Sequence, residues 1–164
     1  MLAARQLRGT GIRIAHIGNA LNAALGAQAR LTMEECPDYR WLGGLPQPVA
    51  RQWMASSRAL VHMSQLEGGA NVVIEAVWAQ VPVLASRIDG NVGLLGGDYD
   101  GYFEVGNASA LAGLMRRAYD DSSFMSRLKV QCAKREPLFA PVVEAMAVQR
   151  LLGDMLGLRA KGRT

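Results

Sequence analysis

A chain of 164 residues is ample for one hydrophobic core and short for two, and with half its residues apolar and a fifth charged it has the balance of an ordinary folded domain, not of a disordered chain. Its net charge of +4 is concentrated at one end, where Arg159, Lys161 and Arg163 supply three of those charges without interleaved aromatics. Residues 1–158 are nearly neutral, which argues against a nucleic-acid surface, and no apolar run reaches the roughly 18–20 residues of a membrane span. We therefore expect one domain over residues 1–158 and a basic, disordered tail over 159–164. Cys36 and Cys132 have no metal-ligand spacing and no signal sequence precedes them, so reduced thiols and a cytoplasmic location are expected.

In chain order, residues 12–17 ("IRIAHI") form a β-branched run ending at Gly18 and Asn19, a strand followed by a turn. Residues 21–35 read as a helix, 39–42 as a short strand closed by Gly43 and Gly44, and 46–56 as a helix with proline in its first turn. A third strand spans 58–64, a helix 71–80 and a fourth strand 81–86. This alternation predicts a parallel sheet with helices on both faces. A last strand falls at 101–105. Three helices follow, at 107–121 with Asn107 as N-cap, at 122–135, and at 138–156 with Pro141 in its first turn. His16 and His62 lie in strand-like stretches and are expected to be packed, so no metal site is expected. Met54, Met63, Met115, Met125 and Met146 read as core filling.

In an open parallel sheet, ligands collect at the carboxyl ends of the strands. Two loops qualify, the Gly18-Asn19 turn and residues 64–70. The second belongs to the stretch "SQLEGGANVVIEAVWAQVPVLAS", residues 64–86. A glycine-flanked helix start suits phosphate, because free N–H groups and the positive end of the helix dipole converge there, and Gly68 and Gly69 carry no Cβ to hold a pyrophosphate away. Asn71 either caps the helix or donates to the ligand. Glu67 and Glu75 suit hydroxyls instead, since an ionised carboxylate is acceptor-only and a sugar diol offers two donors. A nucleotide-sugar has both features. The alternative is an ordinary tight turn with two solvated carboxylates. Against it stands the helix around Glu75, apolar nearly all round, which predicts burial and a need for partners.

The E-x7-E spacing of Glu67 and Glu75, followed by "VPVLAS", resembles the donor-binding signature of retaining GT-B glycosyltransferases, and the resemblance runs from about residue 12 to 156. It implies an α/β fold, Rossmann-like, of the kind that forms the C-terminal half of such enzymes. It also implies roles: Glu67, Gly68 and Gly69 at the donor sugar, Gly18, Ala70 and Asn71 at the diphosphate, and Glu75 at the ribose. A UDP-sugar is then a substrate, and no cofactor is implied. Members of the family usually carry a glutamate in the stretch that here reads "IDGNVGLLGGDYDGYF", with Gly93 in its place. The "EGGANVVIEA" and "GNVGLLG" segments are closer to selenosugar synthases, which join selenium from selenophosphate to the anomeric carbon of a UDP-sugar. The family also has an N-terminal acceptor domain and an Arg–Lys pair at the diphosphate. No lysine occurs here before Lys129, so the acceptor domain and the charge clamp are expected to be missing. The alternatives are a non-catalytic nucleotide-sugar binding module and a nucleotide-sugar epimerase-like domain. A plain dinucleotide domain is disfavoured, because no G-x-G-x-x-G follows the first strand.

Overall fold

The computed structural model describes residues 1–155, so the basic tail at 159–164 and the end of the last helix at Leu156 lie outside the described residues. The chain alternates as expected: β1 (Ile14–Ile17), α2 (Ala23–Glu35), β2 (Tyr39–Gly43), α3 (Gln47–Ala55), β3 (Leu60–His62), α4 (Asn71–Trp78) and β4 (Val83–Ser86). Then come α5 (Asp89–Leu95), β5 (Tyr102–Phe103), α6 (Ala108–Asp120), α7 (Ser122–Ala133), a 3-10 turn (Glu136–Phe139) and α8 (Pro141–Met155). Two elements, α1 (Leu2–Gln6) and α5, were not expected from the sequence. Both are too short for a helical period to show. Among the described residues no helix is long and apolar enough to cross a membrane.

Every strand pairing is parallel, but the sheet is divided: β1 pairs with β2, and β4 lies between β3 and β5. Ile14 of β1 and Val61 of β3 pack against one apolar cluster, built on Leu7, Ile12, Phe103 and Leu111, so side chains and not a hydrogen-bonded ladder join the two sheets. All four residues of β4 are buried, as a central parallel strand covered on both faces requires. Val73, Ala76 and Val77 of α4 pack with β4 and with Phe124 and Leu128 of α7 in the main core.

Side-chain caps fix three helix starts: Asn22, Asn107 and Asp121 accept from Leu25 N, Ala110 N and Phe124 N, each at 2.9 Å. The last helix starts at Pro141 and not at 138, because a residue before proline is disfavoured in helical conformation; Leu138 belongs to the 3-10 turn. Met54 and Met125 are buried and Met115 packs against the core, but Met63 and Met146 are 59% and 63% exposed, contrary to the core reading. Both cysteines are buried free thiols.

The central strand is pinned by one phenol. Tyr99, 4% exposed, donates to Val83 O at 2.5 Å and accepts from Val83 N at 3.1 Å. Burial pushes that phenol far above its ordinary pKa. Tyr99→Phe leaves both backbone groups of Val83 without this partner, and a loss of about 1–3 kcal/mol is expected in urea unfolding with the slope unchanged.

Candidate functional site

Glu67 stands in the loop that leaves the carboxyl end of β3, and the loop is shaped from beneath. Ser86 Oγ, at the end of β4, donates to Ser64 O at 2.6 Å. Asn91 of α5, fully buried, donates its amide to Ser86 O at 2.8 Å and to Ser86 Oγ at 3.3 Å. Its oxygen faces His62 Nδ1 at 3.1 Å. His62 Nε2 lies 3.2 Å from Ser64 Oγ, and Ser64 Oγ donates to Glu67 Oε1 at 3.0 Å. A side chain at Gly90 would run into the Glu67 carbonyl oxygen, so α5 can reach beneath the loop only with glycine there.

Glu75, on the second turn of α4, is held from α3. Arg51 Nη2 donates to its Oε1 at 2.6 Å and Gln47 Nε2 at 3.3 Å. The Arg51 hydrogen bond holds the Glu75 carboxyl below the usual carboxylate range, burial opposing it. The expected need for partners is met, but α4 is not buried all round: Val72 is 36% exposed, Trp78 51%, and the Glu75 side chain 18%. The helix buries one face on β4 and leaves the other at the surface.

Between the two carboxylates, Gly68 and Gly69 are exposed, neither has positive φ, and a Cβ on either would meet nothing within 4 Å. Ala70 is the N-cap of α4 and no side chain caps the helix. Asn71 is its first residue, exposed, and does not cap it; Ala70 O already accepts from Val73 N and Ile74 N. Gly18 follows β1, a strand of the other sheet. Its φ of 138° favours glycine, its N–H donates to Gly43 O at 2.8 Å, and its carbonyl accepts from Trp41 Nε1 at 2.8 Å. Asn19 Oδ1 accepts from Gly44 N at 2.9 Å. Among the described residues no hydrogen bond or ion pair ties this turn to the Glu67 loop. Gly93 is exposed on α5, its carbonyl accepting from Arg135 at 2.8 Å.

Of the residues that sequence reasoning missed, Gln47 and Arg51 carry a signal in their i, i+4 spacing on one face of α3. Asn91 carries a weaker one, as a lone amide among glycines and aliphatic residues. His62 was expected to be packed and is half-buried with two polar partners; His16 is exposed, bonded to the Tyr39 hydroxyl at 2.6 Å.

The family described as glycosyl transferases group 1 matches residues 36–135, which hold Glu67, Glu75 and everything that supports them. No curated protein matches the chain. Among solved structures, Anabaena HepE in complex with UDP and glucose superposes with a TM-score of 0.73 at 18% identity, over 93% of this chain and 43% of that one. The HepE complex with UDP-glucose gives 0.71 at 18%, over 93% and 44%. A glycosyltransferase from Rickettsia africae gives 0.73 at 14%, over 99% and 44%. At these identities the likeness shows the fold, and the chain spans less than half the length of these structures.

The Glu75 pair makes a pH prediction. Because its carboxyl titrates below the unfolded value, its contribution to stability is complete above the unfolded carboxylate pKa and lost as pH falls through the lower folded one. Arg51→Ala removes the cation and leaves burial opposed by the Gln47 hydrogen bond. Carbon-detected NMR titration is expected to show the Glu75 midpoint rising above that of the unaltered chain.

Proposed function

The chain belongs to the glycosyl transferases group 1 family, and on that premise we propose that it is the donor-binding half of a retaining GT-B glycosyltransferase that uses a UDP-sugar. One observation carries this reading. Gly68 and Gly69 stand next to the uncapped start of α4, where neither backbone conformation nor packing within the chain calls for glycine. Such a bare backbone beside a helix N-terminus suits a diphosphate that must approach closely. In this reading Gly18, Ala70 and Asn71 face the diphosphate with the glycine pair. Glu67 accepts from hydroxyls of the transferred sugar, and Glu75 accepts from the ribose diol while Arg51 and Gln47 hold its carboxylate in place. UDP and UDP-glucose in the HepE structures support a uridine diphosphate donor.

The acceptor we propose is selenophosphate and the donor UDP-N-acetylglucosamine, on the resemblance of "EGGANVVIEA" and "GNVGLLG" to selenosugar synthases. The selenium would attack the anomeric carbon as UDP leaves. An acceptor domain and the basic pair at the diphosphate would come from outside the 164 residues. Calorimetry on the isolated chain is then expected to give UDP affinity in about the high-micromolar to millimolar range, and nanomolar binding would overturn the half-site architecture. No UDP release is expected from the chain alone with selenophosphate and UDP-N-acetylglucosamine, because transfer needs both reactants held in attack geometry.

The two carboxylates are expected to fail differently. Glu75→Gln keeps the shape and weakens the acceptor, with a loss of about 1–3 kcal/mol for UDP and for UDP-sugar alike. Glu67→Gln leaves UDP affinity nearly constant while the preference for UDP-sugar over UDP falls. Equal losses in both variants would remove the division of roles.

A further inference from the structure

We propose that His62, locked by Asn91 and acting through the Ser64 hydroxyl, is a positioning residue that aims the Glu67 carboxylate and switches its hold with the charge of the imidazole ring. The inference rests on the sugar-binding role of Glu67, and it follows from counting protons along one hydrogen-bonded chain. Ser86 Oγ spends its only proton on Ser64 O, so where Asn91 meets Ser86 the amide nitrogen must be the donor. That fixes the amide orientation. The Asn91 oxygen therefore faces His62 Nδ1, which must carry a hydrogen.

In the neutral ring Nε2 is then a bare acceptor, 3.2 Å from Ser64 Oγ. Glu67 Oε1 is a second acceptor on the same hydroxyl, at 3.0 Å. Ser64 has one proton for two claimants, so Glu67 is held part of the time. In the charged ring Nε2 donates to Ser64 Oγ, the hydroxyl proton goes wholly to Glu67, and every link has one donor and one acceptor. Oε1 is then fixed from the protein side, and Oε2 is the oxygen that the hydroxyls of the sugar meet.

Asn91 from α5 and Ser64 from the loop meet the ring, Glu67 acts on it by its charge, and the register partner of His62 on β4 is the uncharged Ala85. Burial, the largest effect, lowers the His62 pKa below the ordinary histidine value, while the Glu67 charge and the Asn91 hydrogen bond raise it. The charged form is thus the minor one at neutral pH and grows on the acid side.

The test uses the whole 164-residue chain. Long-range 1H–15N NMR of the ring nitrogens, with His62 told from His16 by its absence in His62→Gln, is expected to show the Nδ1–H tautomer at about pH 8 and a His62 midpoint that falls in Glu67→Gln. NMR titrations with UDP and with UDP-N-acetylglucosamine are expected to show the preference for the sugar rising about three- to tenfold as the pH falls through the His62 midpoint so measured, the worth of one hydrogen bond. In His62→Gln that preference stays flat with pH. An Nε2–H tautomer, or a midpoint indifferent to Glu67→Gln, overturns the relay even where UDP-sugar is preferred over UDP. If the ring signals are as expected but sugar and UDP bind alike at every pH, the sugar role of Glu67 fails and the aiming proposal falls with it.

Discussion

The loop carrying Glu67 has no secondary structure of its own, and its shape depends on the rule that a buried polar group must be paired. Asn91 and Ser86 are at most 1% exposed, and each would cost about 1–3 kcal/mol if left without a partner. Their partners are the Ser64 and Ser86 backbone carbonyls and the His62 ring. Satisfying two buried side chains therefore sets the course of the chain from Ser64 onward. Gly90 completes the fit by letting α5 slide under the Glu67 carbonyl. The fully buried β4 is what brings all of this to one strand end, since Ser86 is its last residue.

The two carboxylates are held by different physics. Glu75 faces a guanidinium across a short contact, so its charge is stabilised and its position follows that of α3. Among the described residues, Glu67 is reached by a neutral hydroxyl, behind which stands the His62 ring. The first arrangement gives a constant acceptor, insensitive to modest acidification. The second leaves an acceptor whose orientation is adjustable, which suits contact with the part of a ligand that varies more than a ribose.

What was legible in the sequence is what is local. Glu67, the glycine pair and Glu75 lie within nine residues, and the strand-helix-strand order around them follows from β-branched runs and turn residues. The supports were hidden because they arrive from afar: Gln47 and Arg51 from 28 and 24 positions before Glu75, and Asn91 from 29 positions after His62. No period or motif encodes such pairings. Composition also misled where it counted residues without placing them. The helix Asn71–Trp78 is apolar on faces that the fold leaves at the surface, as the exposure of Trp78 shows. The division of the sheet was likewise invisible, since side-chain contact through Ile14 and Val61 leaves the same strand pattern as a continuous ladder.

The carbonyls of α5 are gripped from outside the helix. Arg135, just beyond α7, donates to Gly93 O at 2.8 Å and Leu94 O at 2.7 Å, while the Tyr102 hydroxyl on β5 is shared by Asn91 O and Gly96 O. Burial pushes that phenol up to about 12, so it keeps its proton throughout the neutral range. A helix of seven residues has no standing as an independent helix in water. Its persistence is borrowed from Arg135 and from Tyr102 on β5, and so the floor of the site depends on both. Leu94 and Leu95 of α5 pack into the core that holds Phe124. Partial unfolding of the C-terminal helices would therefore erase the support of Glu67 while leaving β1 and β2 paired, making the site an early casualty of stress on a part of the chain far from it in sequence.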